Sequence, residues 1–235
     1  MGAAAPSTER GAVFMWGSTF PELKGRVAVV LGPSDGVAGA VCRMLANRGV
    51  RIAVIGEQPD ELEDLVDELH WLGAEAVGIV AASGGQHGGG AAAMDAVRAS
   101  VLTELGAPDL LFVLTCTNRA GAGWHDMVDS GLTTTLQALQ AFVPAMVEAR
   151  TGAVVTLAPA GPDPASTAVG GGVTALTQHF ARQVAGSGVR ANVVTWTPRA
   201  SIVDDVAFAA LYLASDAAAS MTATTLDVAG TSIRL

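Results

Sequence analysis

Residues 26–39 read R-V-A-V-V-L-G-P-S-D-G-V-A-G, and this stretch decides the fold. Val27 to Leu31 form an uninterrupted apolar run, the pattern of a parallel strand buried on both faces. Gly32 ends the run, and Pro33, Ser34 and Asp35 make a turn. Gly36 then opens a segment in which Val37, Val41, Met44 and Leu45 recur at helical spacing. Strand, glycine turn and helix in that order aim main-chain N–H groups and the positive end of the helix at one point, where a phosphate can sit.

The same alternation continues to the end of the chain. Apolar runs predict strands at Ile52–Ile55, Ala76–Val80, Asp109–Thr115, Ala153–Leu157, Val189–Thr195 and Thr225–Val228. Between them, helical spacing predicts helices from Pro59 to the Gly73 cap, around Met94–Leu105, over Asp126–Ala149 with a bend at Pro144, over Thr167–Ala185, and over Val203–Leu213. Gly170, Gly171 and Gly172 weaken the start of the 167–185 helix. No linker divides these elements. Residues 1–20 read as a flexible N-terminal arm, either a plain tail or one docked through Phe14, Met15, Trp16 and Phe20, and residues 21–235 as one α/β unit. The expected architecture is a doubly wound, Rossmann-like parallel sheet of about seven strands with helices on both faces.

Composition narrows the function. The 235 residues carry a net charge of −9 with no Lys/Arg cluster, which argues against nucleic acid and anionic membrane as partners. No apolar run reaches the roughly 18 residues of a membrane span, and the N-terminus has no signal-peptide core. Cys42 and Cys116 stand apart without metal-ligand spacing and read as reduced thiols, so the expected compartment is cytoplasmic. The acidic run from Asp60 to Glu68 reads as a solvated helix face. His87, in the glycine-rich loop 84–90, lacks neighbouring ligands, and no metal site is expected. Cys116, His125 and Asp126 could form a nucleophile–base pair, but His125 and Asp126 read better as the start of a helix. His179 reads as a packing or interface residue, and Trp124 and Trp196 as residues that line a pocket or plug it.

The stretch L-K-G-R-V-A-V-V-L-G-P-S-D-G-V-A resembles the opening of the short-chain dehydrogenase/reductase family, whose motif is T-G-x-x-x-G-x-G. Gly32 and Gly36 match the first two glycines, Leu31 replaces the threonine, and Ala38 replaces the third glycine, with Gly39 one step late. Further along, V-P-A-M at Val143–Met146, V-T-A-L-T-Q-H-F-A at Val173–Ala181, G-V-R-A-N-V-V at Gly188–Val194 and the closing segment from Asp204 to Gly230 are similar to the family's scaffold motifs. The resemblance implies a dinucleotide site built on Gly32, Ser34, Gly36, Val37 and Glu57, the last standing one residue after the usual acid position, which is Gly56 here. A carboxylate there implies NAD rather than NADP. The asparagine–glycine motif after the fourth strand is replaced by Val113–Cys116, and the family's proline–glycine by Trp196–Thr197. The site therefore reads as vestigial, with no cofactor expected.

The family's four reactive groups are absent at the positions the resemblance assigns. The asparagine position falls on Gly131, the serine on Pro159, the tyrosine on Ser166 and the lysine on Gly170. The one tyrosine is Tyr212 and the one lysine is Lys24, so no Tyr-x-x-x-Lys pair exists. Between Thr197 and Asp204 only a short connection stands where the family carries a substrate lid. Two function classes follow. The first is a non-catalytic partner or regulatory subunit, a homo- or hetero-oligomer with an active relative through helices 126–149 and 167–185. Its contact residues are expected to be Leu132, Leu136, Leu139 and Phe142 on one helix, and Val173, Leu176, Phe180 and Val184 on the other. The second is an enzyme: an atypical oxidoreductase with displaced groups, or a lyase, isomerase or cyclase reusing the cleft.

Overall fold

Alternate residues of the first strand divide the core in two. In the computed structural model, Ala28 and Val30 of β1 (Val27–Leu31) point into one buried cluster and Val27, Val29 and Leu31 into another, as a two-residue side-chain period requires of a strand covered on both faces. The structure describes residues 19–34, 36–81, 90–115, 123–161, 163–197 and 202–228. The other strands are β2 (Arg51–Gly56), β3 (Ala76–Val80), β4 (Leu110–Leu114), β5 (Gly152–Pro159), β6 (Val189–Trp196) and β7 (Thr225–Val228). They form one parallel seven-stranded sheet in the order β3-β2-β1-β4-β5-β6-β7. This is a Rossmann-like α/β fold.

One face is covered by α1 (Gly36–Ala46), α2 (Pro59–Trp71) and the last helix, α7 (Val203–Ala214). The other is covered by α3 (Gly90–Glu104), α5 (Thr134–Ala149) and α6 (Pro164–Gln183). A short α4 (Trp124–Val128) leads into α5. An Arg43–Glu68 ion pair of 2.7 Å ties α1 to α2. The half-buried Arg190 side chain donates to the carbonyls of Leu213, Ala214, Ser215 and Ala218, closing the carboxyl end of α7 with a positive charge.

Four expectations change. The helix expected over 126–149 starts at Trp124 and is interrupted by a single π-helical stretch, Asp129–Thr133, while Pro144 lies inside α5. The helix expected from Thr167 starts at Pro164, because the Asp163 side chain accepts the Ser166 N–H at 2.9 Å and Pro164 suits the first turn. Gly170–Gly172 do not fray it. A Cβ on Gly172 would stand 2.6 Å from Leu132 Cδ2, so the missing side chain is what lets α6 approach the π stretch. Finally, the close helix–turn contact belongs to Gly39. A Cβ there would lie 2.8 Å from the Ser34 carbonyl, while Ala38 buries its methyl in the core.

Of the N-terminal arm only Thr19 and Phe20 are described. Phe20 packs on Phe208 of α7 at 5.5 Å, with the Arg48 guanidinium 5.9 Å from its ring centre. The docking expected of Phe14, Met15 and Trp16 lies outside the described residues.

Candidate functional site

The order of strands reverses between β1 and β4, and their carboxyl ends part to leave a crevice. A cleft of about 800 Å³, counting the open space at its mouth, occupies that crevice. Leu31, Ile55 and Leu114, at the ends of three adjacent strands, and Met94 of α3 form its apolar lining. Gly32 is required where β1 meets β4, because a Cβ would stand 2.7 Å from that of Leu114. Of the five expected binding residues, Gly32, Ser34 and Glu57 line this cleft. Gly36 and Val37 do not. Gly36 supplies the left-handed turn into α1, with φ of 53°, and Val37 is buried in the core.

Gly56 ends β2 where the family acid is expected. Its Cβ would stand 3.3 Å from Ser34 Oγ, so the serine occupies the space of a side chain at 56 and the carboxylate appears one residue later, on Glu57. Glu61, one turn into α2, is a second carboxylate on this wall. Sequence reasoning missed Glu61, along with Thr115 and Thr134, which line the opposite side. The position of Glu61 in the first turn of a helix that follows a strand end was the available signal. No Lys, Arg or His lines the cleft among the described residues.

A second arrangement lies beside this cleft, where the π stretch, the end of β5 and the first turns of α6 meet. It holds the four positions assigned to reactive groups. Gly131 faces Val169, whose Cγ1 would be 2.5 Å from a Cβ at 131. Gly170 faces the Pro159 carbonyl, 3.5 Å from its Cβ position. Ser166 Oγ donates to the Asp163 carboxylate, which also accepts the Ser166 main-chain N–H. This pairing holds the Asp163 carboxyl below the usual carboxylate range. The hydroxyl is thus committed to capping a helix, and the D-P-A-S run at 163–166 was its sequence signal. Val169 is fully buried with Ala158, Val173 and Val193. What stands at this junction is an apolar plug. Thr156 of β5 and Thr177 of α6 share a buried 2.8 Å hydrogen bond that fixes helix against strand.

Lys24 and Tyr212 are far from both places. Lys24 precedes β1, beside Gly49, and Tyr212 stands in the last turn of α7 with its hydroxyl on Met221, so both lie at the amino edge of the sheet. Trp124 is half exposed, and Trp196 is buried at the end of β6; neither lines the cleft. His125 and Asp126 are exposed on α4, and Cys116 and His87 lie outside the described residues. Among the described residues no three His, Cys, Asp or Glu side chains are placed to hold a metal ion, and no helix is long and apolar enough to cross a membrane.

On the outer surface of α5 and α6 runs a shallow groove lined by Leu132, Leu136, Leu176 and His179. The expected contact set is corrected here. Leu139, Phe142 and Val173 are buried within the chain's own core and cannot present a contact face.

The family model described as short chain dehydrogenase matches residues 26–208. The 3-oxoacyl-acyl-carrier-protein reductase FabG of Escherichia coli (strain K12) is 24% identical, covering 88% of this chain and 97% of its own. A FabG of Staphylococcus epidermidis is 28% identical over 71% of this chain and 72% of its own. A short chain dehydrogenase of Pseudocercospora fijiensis is 26% identical over 72% of this chain, which spans only 58% of that relative. Among solved structures, an actinorhodin polyketide ketoreductase variant with NADPH superposes with a TM-score of 0.76 at 24% identity, over 87% of this chain and 96% of its own, a likeness of fold.

Proposed function

Since this chain belongs to the short-chain dehydrogenase family, we propose that it keeps the family's oxidoreductase-like scaffold without its hydride-transfer chemistry, and serves as a non-catalytic partner or regulatory subunit of an active relative. One observation carries the reading: the junction of the π stretch, β5 and α6 is filled by Val169, with glycine at 131 and 170, proline at 159, and a serine at 166 already bonded to Asp163. Carbonyl reduction needs a proton donor and a group that stabilises the developing oxyanion, at one point. The chain's single tyrosine and single lysine stand at the other edge of the sheet.

The described lining of the main cleft does not fit a dinucleotide. Gly36 and Val37 of the turn are not among its lining residues, and the charged groups on its described lining are the carboxylates of Glu57 and Glu61. If NAD or NADP binds, the Glu57 carboxylate favours NAD. The groove on α5 and α6 is the surface through which we place the partner, either a second copy or a catalytically complete relative.

A second reading, an atypical oxidoreductase, draws on the relatives named as reductases. Turnover separates the two. With NADH or NADPH and a panel of ketones, no reduction above background is expected, and Ser166→Tyr with Gly170→Lys is expected not to restore it. Dinucleotide-dependent turnover by the unmodified chain would overturn the first reading. Co-expression with candidate relatives, followed by chromatography with light scattering, tests the partner; a monomer indifferent to every relative would remove it.

A further inference from the structure

We infer that the inner end of the carboxyl-edge cleft is a binding site for an uncharged single-ring hydrocarbon or a close derivative of one. The inference goes beyond the partner reading and does not depend on it. Without the open space at its mouth, the cleft holds about 120 Å³. That is below the roughly 300 Å³ at which sites for drug-sized ligands begin. It is near the roughly 150 Å³ of an apolar cavity that takes up benzene. The floor is built to match. Leu31 and Ile55 are neighbours across the β1–β2 ladder, Leu114 ends β4, and Met94 comes from α3; all four are buried. Ala81, one residue past β3, adds a methyl.

The polar lining leaves little for a ligand to bond at that end. The Thr115 and Thr135 hydroxyls donate to the Leu157 and Gly131 carbonyls. Among the described residues no fully buried side-chain nitrogen or oxygen lacks a partner. Gln58 and Glu61 are exposed and Glu57 is half-buried, so the amide and the carboxylates belong to the wet mouth of the cleft. A ligand that carries a nitrogen or oxygen to the inner end gives up water there and meets no group in need of it. A bare ring carries no such cost and gains the contact of four buried apolar side chains.

Benzene and pyrazine test the inference. They share one ring shape, and pyrazine carries nitrogens at two opposite positions. Binding to the full chain is followed by NMR of labelled Leu, Ile and Met methyl groups. Benzene is expected to shift the methyls of Leu31, Ile55, Met94 and Leu114 saturably, with a Kd of roughly 0.1–1 mM. Pyrazine is expected to bind about tenfold more weakly or worse, because an acceptor is left buried and unpaired. Ala81→Phe, which puts a phenyl ring into the same space, should weaken benzene about tenfold or more while circular dichroism stays unchanged. Should that variant fail to fold, the methyl shifts of the unmodified chain decide alone. The inference is overturned if benzene leaves the four residues unmoved, or if the saturating shifts fall instead on Leu132, Leu136 and Leu176 of the outer groove. It is overturned equally if pyrazine or adenosine matches benzene at the same methyls. Adenosine binding of that kind leaves the partner reading as it stands.

Discussion

Placing a single methyl at position 131 tests whether the apolar plug is as tight as it looks. The Cβ of Gly131→Ala would stand 2.5 Å from Val169 Cγ1, over 1 Å inside normal contact. Val169 cannot swing aside. It is β-branched in a helix, which leaves one favoured rotamer, and it is fully buried among Ala158, Val173 and Val193. Overpacking of this kind costs about 1–3 kcal/mol. Replacing a helical glycine by alanine returns roughly 0.5–1 kcal/mol. The net expectation is a loss of about 1–2 kcal/mol, or a Tm lower by roughly 2–8 °C for a chain of this size. Val169→Ala alone removes buried methyl groups and costs about 2–3 kcal/mol. Combined, the two changes relieve the clash and fill part of the void, so the double variant should be at least about 1 kcal/mol more stable than the sum of the singles. Urea unfolding followed by circular dichroism reads all four proteins. A neutral or stabilising Gly131→Ala, or strict additivity, would refute the packing argument and reopen position 131 to a reactive side chain.

Other expectations concern separate parts of the molecule. Leu136→Asp with Leu176→Asp, in the surface groove, should keep the fold and shift the mass by light scattering to that of a monomer, whereas Leu139→Asp should fail to fold because it buries a charge; an unchanged mass in the first pair would remove the groove as an interface. Asp163→Ala should lower Tm at pH 7, and because the native carboxyl titrates below its ordinary value, the stability it contributes is present above about pH 4 and lost below it. The gap to the unmodified chain should therefore narrow steadily as pH falls below about 4, and a constant gap would show that Ser166 does not hold the charge. Burial pushes the Cys42 thiol up to about 12, so in a Cys116→Ser background a thiol reagent at pH 8 should modify it only in urea; rapid labelling of the native chain would contradict the burial.

The strands were legible because burial on both faces leaves a continuous apolar run, as in Val27–Leu31 and Leu110–Leu114. Helix periodicity was less informative. It marks a side that is covered without saying by what, which is why Leu139, Phe142 and Val173 were assigned to a contact with another chain when their own sheet covers them. Glycine patterns misled in a different way. The motif puts the third glycine at 38, but the need is set by the Ser34 carbonyl, and Gly39 answers it. The triple glycine at 170–172 read as a weak helix start, whereas Gly172 clears Leu132 and Gly170 faces Pro159. The Gly172–Leu132 approach joins elements about 40 residues apart in the chain, a distance at which local propensity carries no signal. Of the candidate cleft, Gly32, Ser34 and Glu57 were found from the turn; Glu61 was not, because the acidic face of its helix masked one residue that turns toward the cavity.

The central place of β1 also shapes how the chain is made. One edge of β1 is covered early by β2, but its other edge pairs with β4, and the Val27 N–H bonds the Asp109 carboxylate 82 positions further on. At synthesis rates of about 5–20 residues per second, that edge stays open for on the order of ten seconds after β1 leaves the ribosome. During that interval a five-residue strand of Val, Ala and Leu offers unpaired main-chain groups to any neighbouring nascent chain. Yield of folded protein should therefore depend on translation speed and chaperone supply through codons 30–110 far more than on the stability of the finished fold.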